Sequence, residues 1–266
     1  MGENLERIME NIDHFEEVTL LITHYNRSKS LERLLTHFVE LGITFHTIIV
    51  SDDCSNVEHL SYLEILKGQF NFQLVTTTKN GGLGNNINKG QDLVKTNYTL
   101  YVQEDFFPLP TFKTHFKNGY DIMEESKDID TVRFYSYLNY PNLKPYKFGF
   151  SEMVFDKWSF DLDKVPLYSD HPHLRRSNFM KKFGRYPENK NPEKTEYDMM
   201  ISFLRNNGRG MLFQDYKAIF GQGNSAAEPS TVNRKFWRNT DNMLIRVFVQ
   251  AYRHLLFNYR LFIKKG

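Results

Sequence analysis

The feature that most constrains the fold is a regular alternation of short apolar runs and helical patterns in the first 110 residues. Runs typical of buried strands occupy 18–22, 47–50, 72–75 and 98–102. Between them, apolar residues recur at helical spacing, as they do over 31–41. Alternation with a repeat of about 25 to 28 residues predicts right-handed crossovers and a parallel sheet.

Each predicted strand ends in polar residues, and these ends should meet at one edge of the sheet. They are Thr23, Asp52 with Asp53, Thr77 with Thr78, and Glu104 with Asp105. Pro108 and Pro110 exclude a continued strand interior after the last pair. Hard cations such as Mg²⁺ bind one or two carboxylates together with substrate phosphates. We interpret the last pair as a metal–diphosphate site; the alternative is a solvated acidic turn.

Two standard nucleotide motifs are absent from the sequence. No Gly-x-x-x-x-Gly-Lys-Ser/Thr phosphate loop occurs. The glycine-rich stretch 82–87 has Ile87 where a dinucleotide fingerprint requires its third glycine, and it follows the third predicted strand instead of the first. We therefore do not expect an ATPase-type phosphate loop or a dehydrogenase.

Composition narrows the class of protein and its compartment. A net charge of +2 gives no argument for nucleic-acid binding. The single cysteine, Cys54, excludes an intrachain disulfide and favours a reducing compartment. The polar, acidic stretch 1–17 is unlike a secretory signal, and no run of eighteen uncharged apolar residues predicts a spanning helix. We expect a cytoplasmic protein.

Four blocks resemble, in order and spacing, those of family-2 glycosyltransferases with the GT-A fold: 18–26, 48–55, 82–90 and 101–105. The resemblance covers nearly all of residues 17–110. It implies an α/β fold with a Rossmann-like, mostly parallel sheet flanked by helices, then a C-terminal acceptor-side region and a terminal helix. It also implies a nucleotide-diphosphate sugar donor and Mn²⁺ or Mg²⁺ as cofactor.

The resemblance implies roles for single residues along the polar edge. Thr23 and Tyr25 would hold the base and ribose, and Asp53 would accept a hydrogen bond from the base. Asp105 would be the metal ligand. The nucleotide-binding residues expected on this basis are Thr23, Tyr25, Asn26, Arg27, Asp52, Asp53, Gly82, Asn85, Asn88 and Glu104.

Two positions depart from the family pattern. Gln103 replaces the first acidic residue of the Asp-x-Asp-type motif, so the cation would be held by Asp105 with phosphates and water, or would bind weakly. Ile87 stands before Asn88 where the family often has Arg, and Arg27 is a candidate to supply that contact. Asn85 and Asn88 are either ligand contacts or ordinary polar residues at a helix N-terminus.

The second half carries a predicted strand over 132–137, a last strand over 211–213 and a polar cluster over 169–176. In the cluster, His171 and His173 form a His-x-His pair without a third metal ligand. Arg175 and Arg176 are candidates for contacts with the diphosphate or an anionic acceptor. The alternative is a solvated loop.

Two carboxylates near a predicted helix start compete for the role of catalytic base. We predict that Thr195 is the N-cap of this helix. Asp198, three positions later, would then point back to the backbone of the cap, as in a capping box. Glu196 would then lie in the first helical turn, where the positive helix end favours its ionised form. Aligning Thr195-Glu196 on the Glu-Asp pair of the family also puts Glu196 on the base position.

Together these features predict a single domain over 1–266, with a nucleotide-sugar half (17–110), an acceptor-side half (111–232) and a basic C-terminal segment (233–266). We expect an inverting, metal-dependent glycosyltransferase that acts on a hydroxyl of a glycan or lipid-linked acceptor, in surface polysaccharide synthesis. One alternative is a nucleotidyltransferase, although the loop after the first strand lacks glycine. The other is a non-catalytic binder of carbohydrate or nucleotide sugar on the same fold.

The C-terminal segment has a basic amphipathic helical pattern. Arg246, Arg253 and Arg260 recur every seven residues between apolar positions. Such a helix either lies in an anionic membrane interface, at the inner face of the cell membrane, or packs on the protein core.

Overall fold

The computed structural model describes residues 12–137, 139–156, 158, 167–223 and 243–263. Of the predicted C-terminal segment, 233–242 and 264–266 lie outside the described residues. The strands are β1 (Asp13–His24), β2 (Ile43–Asp52), β3 (Gln73–Val75), β4 (Tyr98–Gln103), β5 (Phe106–Pro108), β6 (Thr131–Arg133), β7 (Leu143–Pro145), β8 (Phe150–Met153), β9 (His173–Arg176), β10 (Gly210–Phe213) and β11 (Phe220–Gln222).

The helices are α1 (Ser28–Glu40), α2 (Val57–Phe70), α3 (Gly82–Gln91), α4 (Phe112–Glu125), α5 (Phe179–Phe183), α6 (Pro192–Arg205) and α7 (Met243–Phe262), with a 3₁₀ turn at Tyr216–Ala218. None of the described helices is long and apolar enough to cross a membrane.

One nine-stranded sheet organises the part of the chain that the structure describes, in the order β3-β2-β1-β4-β9-β6-β10-β8-β7. The strands β3, β2, β1 and β4 are parallel neighbours. The strand β9 runs antiparallel to both β4 and β6, and β8 runs antiparallel to both β10 and β7. Since β10 is parallel to β6, only β9 and β8 are reversed. This confirms the predicted α/β fold with a mostly parallel sheet.

Alternation along the strands divides the core into two layers. On β1, Leu20 and Ile22 face the layer that includes helices α1, α2 and α4, while Leu21 faces the layer of α3, α5, α6 and α7. On β4, Leu100 and Val102 face the first layer and Tyr101 the second. Both faces of the sheet are therefore covered, as expected for parallel strands that are apolar without interruption.

Two local predictions were wrong. The strand predicted over 132–137 ends at Arg133. The sequence Ser55-Asn56-Val57-Glu58 fits a capping box, which predicts that Ser55 caps the second helix. No such box forms, because α2 begins at Val57 with Asn56 as N-cap and without a side-chain cap. The Ser55 hydroxyl donates instead to the Asp52 carboxylate, at 2.5 Å.

Candidate active site

The carboxyl ends of β1, β2 and β4 lie side by side. Thr23 is opposite Ser51 on one neighbouring strand and Gln103 on the other, and His24 is opposite Asp52. The residues that follow these strands therefore share one edge of the sheet, where open α/β sheets bind ligands. This is the edge that the polar strand ends predicted.

Asp52 is a fully buried structural residue of this edge. Its Oδ1 accepts hydrogen bonds from His24 Nδ1 at 2.8 Å and from the Ser55 hydroxyl, and its Oδ2 accepts from the Ser55 N–H at 3.0 Å. Burial alone would raise the pKa of Asp52, but the hydrogen bonds from His24 and Ser55 outweigh it and lower that pKa. These contacts hold the β1 and β2 ends together and leave Asp52 beside the site rather than open to it.

Asp53 shapes the start of α3. Its two carboxylate oxygens accept the backbone N–H groups of Gly81, at 2.8 Å, and Gly82, at 2.9 Å. Gly82 has a φ of +76°, a conformation that a side chain would strain. A carboxylate has about four acceptor positions, so Asp53 retains capacity for a further donor such as a base N–H.

Tyr25 and Asn26 are half-buried in the loop after β1. Asn26, at a φ of 53°, ties this loop to the start of α2: its N–H donates to the Ser55 hydroxyl and its side-chain oxygen accepts the Asn56 N–H, both at 2.8 Å. The Thr23 hydroxyl bonds that of Tyr101 at 3.0 Å.

Asp105 and Glu104 are buried beside a guanidinium group. Arg27 Nη1 lies 3.3 Å from Asp105 Oδ2 and 3.8 Å from Glu104 Oε1. Gln222 Nε2 donates to the same Asp105 Oδ2 at 2.8 Å. Arg27 thus joins the loop after β1 to the acidic pair that follows β4.

The small sheet of β5 and β11 brings Gln222 to this position. Gln222 is opposite Phe106, and the Gly223 N–H donates to the Asp105 carbonyl at 3.0 Å. The Gln222 side-chain oxygen accepts a hydrogen bond from the Tyr137 hydroxyl at 2.7 Å, and the Tyr137 ring lies 4.3 Å from that of His171. Contacts therefore run without a break from Asp105 to the 169–171 segment.

The donor set fits a cation that is bound through one carboxylate and substrate oxygens. The described residues include no group of three His, Cys, Asp or Glu side chains that could hold a metal alone. Both contacts of the Asp105 carboxylate given above fall on Oδ2, and Mg²⁺ commonly takes one or two protein carboxylates with phosphates and water. Asp105, with Glu104 beside it, could hold such an ion.

Asp170 and Glu196 form a second acidic pair, in the half of the chain that follows residue 110. The Asp170 N–H donates to Glu196 Oε1 at 3.0 Å, and Asp170 Oδ1 accepts the Tyr168 hydroxyl at 2.8 Å. Burial, and next the Glu196 carboxylate, raise the pKa of Asp170 to about 7. Asp170 Oδ2 is buried without a hydrogen-bond partner. Its charge is thus poorly compensated where two carboxyl groups face each other.

The strand β9 explains how Asp170 reaches this edge. Because β9 runs antiparallel to β4, with His173 opposite Tyr101, the residues before His173 pass beyond the carboxyl end of β4. Burial lowers the pKa of His171 to about 3 and that of His173 well below its usual value, with the nearby arginine charges acting in the same direction. Both imidazoles are therefore neutral at pH 7 and carry no charge that would attract an anion.

The helix that carries Glu196 begins earlier than predicted. Asn191 is the N-cap of α6, and its side chain accepts the Lys194 N–H at 2.9 Å. The predicted Thr195 cap is wrong: the Thr195 hydroxyl donates to the Pro187 carbonyl instead. Glu196 therefore lies past the first turn, so the helix end does not supply the expected support for its charge.

Asp198 has no capping contact and makes two ion pairs. Its Oδ2 lies 2.8 Å from Lys190 Nζ and its Oδ1 lies 3.0 Å from Arg260 Nη1, on α7. Of the two competing carboxylates, this one joins elements of the fold, whereas Glu196 contacts the 169–171 segment.

Arg175 and Arg176 are not brought to the polar edge. Arg175 is fully buried and donates to the Tyr186 hydroxyl and to Gln91 Oε1. Arg176 is opposite Tyr98, at the start of β4, and donates to the backbone carbonyls of Ile129, Met123 and Ser126. Five residues of strand, about 16 Å, separate that level from Gln103. The prediction that Arg175 and Arg176 contact a diphosphate at this edge is therefore wrong.

Asn85 and Asn88 fasten α3 to the acceptor side. Asn85 Nδ2 donates to Glu188, and Asn88 donates to both Glu188 and the Tyr186 carbonyl while accepting the Tyr186 N–H. The sequence left a ligand contact and an ordinary polar role at the helix start as alternatives for these residues. The structure gives Asn85 and Asn88 a role in the fold, with partners about 100 residues away in sequence.

Sequence reasoning missed several residues of the site: His24, Arg33, Arg133, Tyr137 and Asp170. The signal for Arg133 was a lone charge inside an apolar run, and the structure buries it at the end of β6. Its surroundings include the Glu196 and Asp170 carboxylates. Arg33 had no local signal, because it donates to the distant Gly223 carbonyl, at 2.8 Å.

Solved structures of other proteins share this fold. S. aureus TarS 1–349 in complex with UDP-GlcNAc superposes with a TM-score of 0.60 at 15% identity, covering 91% of this chain and 72% of that one. A mannosyltransferase from Pyrobaculum calidifontis, in complex with GDP-Man and Mn²⁺, has a TM-score of 0.54 at 12% identity, covering 99% and 71%. At such identities the similarity shows the fold.

A further structure of S. aureus TarS 1–349 gives a TM-score of 0.56 at 17% identity over 77% of this chain, and the chain covers 59% of that structure. No curated protein sequence matches this one significantly. The family model for glycosyl transferase family 2 matches residues 19–184, more than half of the chain. The chain therefore belongs to glycosyl transferase family 2 and has the GT-A fold.

Proposed function

We propose that the protein is an inverting glycosyltransferase that moves a sugar from a nucleotide-diphosphate donor to a hydroxyl group. The acceptor in this proposal is a glycan or a lipid-linked saccharide of surface polysaccharide synthesis, met at the inner face of the cell membrane. The observation that carries the proposal is that two acidic pairs, Glu104–Asp105 and Asp170–Glu196, lie at one edge of the sheet. They are linked there by contacts through Gln222, Tyr137 and His171.

The donor half of the proposal uses the loops after β1, β2 and β4. Thr23, Tyr25 and Asp53 would contact the nucleoside, with the Gly82 turn beside it. When a donor binds, Arg27 would leave Asp105 and pair with the diphosphate, which would replace that carboxylate as its negatively charged partner. Two solved structures with this fold, compared above, are complexes with the nucleotide sugars UDP-GlcNAc and GDP-Man.

We infer that Asp105 would hold Mn²⁺ or Mg²⁺ together with the diphosphate oxygens. The cation, when bound, neutralises charge that develops on the leaving diphosphate. Arg27 provides part of the same compensation from the other side of the carboxylates.

The acceptor half depends on Glu196. Its carboxylate takes the proton of the acceptor hydroxyl while that oxygen bonds to the anomeric carbon. The bond from the anomeric carbon to the diphosphate breaks on the opposite face, so the configuration inverts and a nucleoside diphosphate leaves. The Asp170 N–H fixes one oxygen of Glu196, and the other remains for the acceptor.

Two alternatives from the sequence lose support. A nucleotidyltransferase would need a glycine-rich loop after β1, and that loop is instead built around Asn26 and Arg27. A non-catalytic binder is opposed by membership of a transferase family and by the second acidic pair.

Calorimetry with UDP and GDP sugars, with and without Mn²⁺, tests the donor site. We expect Mn²⁺ to strengthen binding in the wild type and to have no effect in Asp105→Ala. Asp130→Asn is the matched control, because Asp130 is equally buried but precedes β6 at the opposite edge, paired with Lys182. Metal-independent binding of full strength in Asp105→Ala would overturn the assignment.

A further inference from the structure

The C-terminal helix α7 has an apolar face that packs on the protein. Phe257 and Leu261 are buried, and the Phe257 ring contacts those of Tyr197 and Phe155. Arg260 pairs with Asp198, and Arg205 Nε donates to the Leu261 carbonyl at 3.1 Å. Packing on the core, one of the two roles predicted for this segment, therefore accounts for one side of the helix.

A second apolar face of α7 is exposed. We call it the exposed stripe; its members are Tyr252, Leu255, Tyr259, Phe262 and Ile263, which are 66%, 68%, 51%, 46% and 67% exposed. At 100° per residue they fall within an arc of about 100°, away from Phe257 and Leu261. Trp158, 77% exposed, stacks on Phe262 with ring centroids 5.1 Å apart and enlarges the surface. A contiguous exposed apolar surface of this kind marks an interaction site.

The charge beside the exposed stripe favours one kind of partner. The sequence from 243 to 266 contains five Lys or Arg residues and no Asp or Glu. Arg253 is exposed and, with Arg260, falls on one border of the stripe at helical spacing. Two copies of the chain joined through this face would bring like charges together, whereas anionic lipid headgroups complement them.

We propose that the exposed stripe and Trp158 bind an anionic membrane surface, with α7 lying in the plane of the interface. Tyr and Trp rings suit the headgroup level, while Leu255, Phe262 and Ile263 enter the acyl boundary. The exposed Arg253 remains among the headgroups. Because α7 packs on α6, the membrane would hold the helix of Glu196 close to a lipid-linked acceptor. The binding itself does not depend on the proposed reaction.

Flotation of the full chain with lipid vesicles tests the proposal. We expect binding to vesicles of phosphatidylcholine mixed with phosphatidylglycerol, weaker binding to phosphatidylcholine alone, and loss of binding in high salt. The triple variant Leu255→Ser/Tyr259→Ser/Phe262→Ser should reduce partitioning at least about tenfold. Arg253→Glu should reduce it more than about fivefold, since each basic residue near the surface contributes about that factor.

Matched controls separate this surface from exposed apolar or basic residues in general. Val39→Ser/Val57→Ser/Ile65→Ser removes three residues of similar exposure on α1 and α2, and Lys181→Glu reverses an exposed charge on α5. Both should leave flotation unchanged, and circular dichroism should show all variants folded, because the altered side chains are exposed.

Equal flotation of wild type and triple variant would overturn the proposal. So would a concentration-dependent dimer, seen by sedimentation, that the triple variant abolishes while vesicles bind neither protein. Failure of donor binding or transfer leaves the flotation result unaffected, so the two proposals fail separately.

Discussion

The two halves of the polar edge treat their carboxylates in opposite ways. After β2, Asp52 accepts hydrogen bonds from His24 and Ser55, and each oxygen of Asp53 accepts one backbone N–H, from Gly81 and Gly82. In the acceptor half, Asp170 keeps an unpartnered oxygen and faces Glu196. Adjacent acidic residues in a sequence therefore have no fixed structural role. Hydrogen bonds on both oxygens make Asp52 part of the fold, whereas Asp170 keeps one buried oxygen without a hydrogen-bond partner.

The largest effect should come from removing the engaged carboxylate. Asp52→Ala leaves buried His24 and Ser55 groups without their partner, and we expect a loss of about 3 kcal/mol in the free energy of unfolding at pH 7. Because the pKa of Asp52 is lowered on folding, its contribution is present above the usual value of 3.8 and disappears as pH falls below it. Urea titration at pH 7 and pH 3 measures both.

No loss of stability at pH 7, or an equal loss at pH 7 and pH 3, would contradict a structural role for the ionised Asp52 and weaken the contrast between the two regions. Asp52→Asn is the milder companion variant, since it keeps one acceptor oxygen for Ser55.

The contact between the halves can be tested at a glycine. A Cβ on Gly84 would lie 2.2 Å from the Pro187 carbonyl oxygen, which is backbone. Gly84→Ala should therefore push α3 from the 186–188 segment, strain the Asn85 and Asn88 contacts, and cost about 1 to 3 kcal/mol. Gly68→Ala is the control, because nothing lies within 4 Å of its Cβ and Ala is the better helix former; it should stabilise by about 1 kcal/mol or less. Thermal denaturation compares them.

The poorly compensated carboxyl group should show the opposite sign to Asp52. The pKa of Asp170 is raised to about 7 by burial and by Glu196, so its contribution to stability is present below the usual value of 3.8 and is lost as pH rises through 7. Asp170→Asn keeps an acceptor for Tyr168 and cannot ionise. We expect its stability relative to wild type to improve steadily from pH 4 to pH 8.

Melting temperatures over that range are the measurement. Parallel pH profiles of wild type and Asp170→Asn would contradict the raised pKa and remove the physical contrast between Asp170 and Asp52.

Sequence patterns predicted the first half well because its information is local. Apolar run lengths located β1, β2 and β4, and the polar residue at each strand end fixed the edge. The second half depends on distant partners. Adjacent Arg175 and Arg176 look alike in sequence, but alternation along β9 buries one against Tyr186 and directs the other to backbone carbonyls near Ile129.

The start of α6 shows the same limit. Thr195 has the chemistry of an N-cap, but Asn191 followed by Pro192 is the stronger start, since Pro suits the first helical turn. Asp198 pairs with Arg260 on α7, a helix that begins more than forty residues later, and no local sequence pattern connects the two.

The most direct test of the account compares Glu196→Gln with Asp198→Asn in a transfer assay, alongside donor affinity and melting temperature. We predict that Glu196→Gln lowers the transfer rate by about 10² to 10⁴ while donor affinity and stability persist. Asp198→Asn should retain transfer and lose about 1 kcal/mol or less of stability, because its ion pairs are partly exposed. Loss of transfer in a stable Asp198→Asn protein, with Glu196→Gln still active, would contradict the account and reverse the two roles.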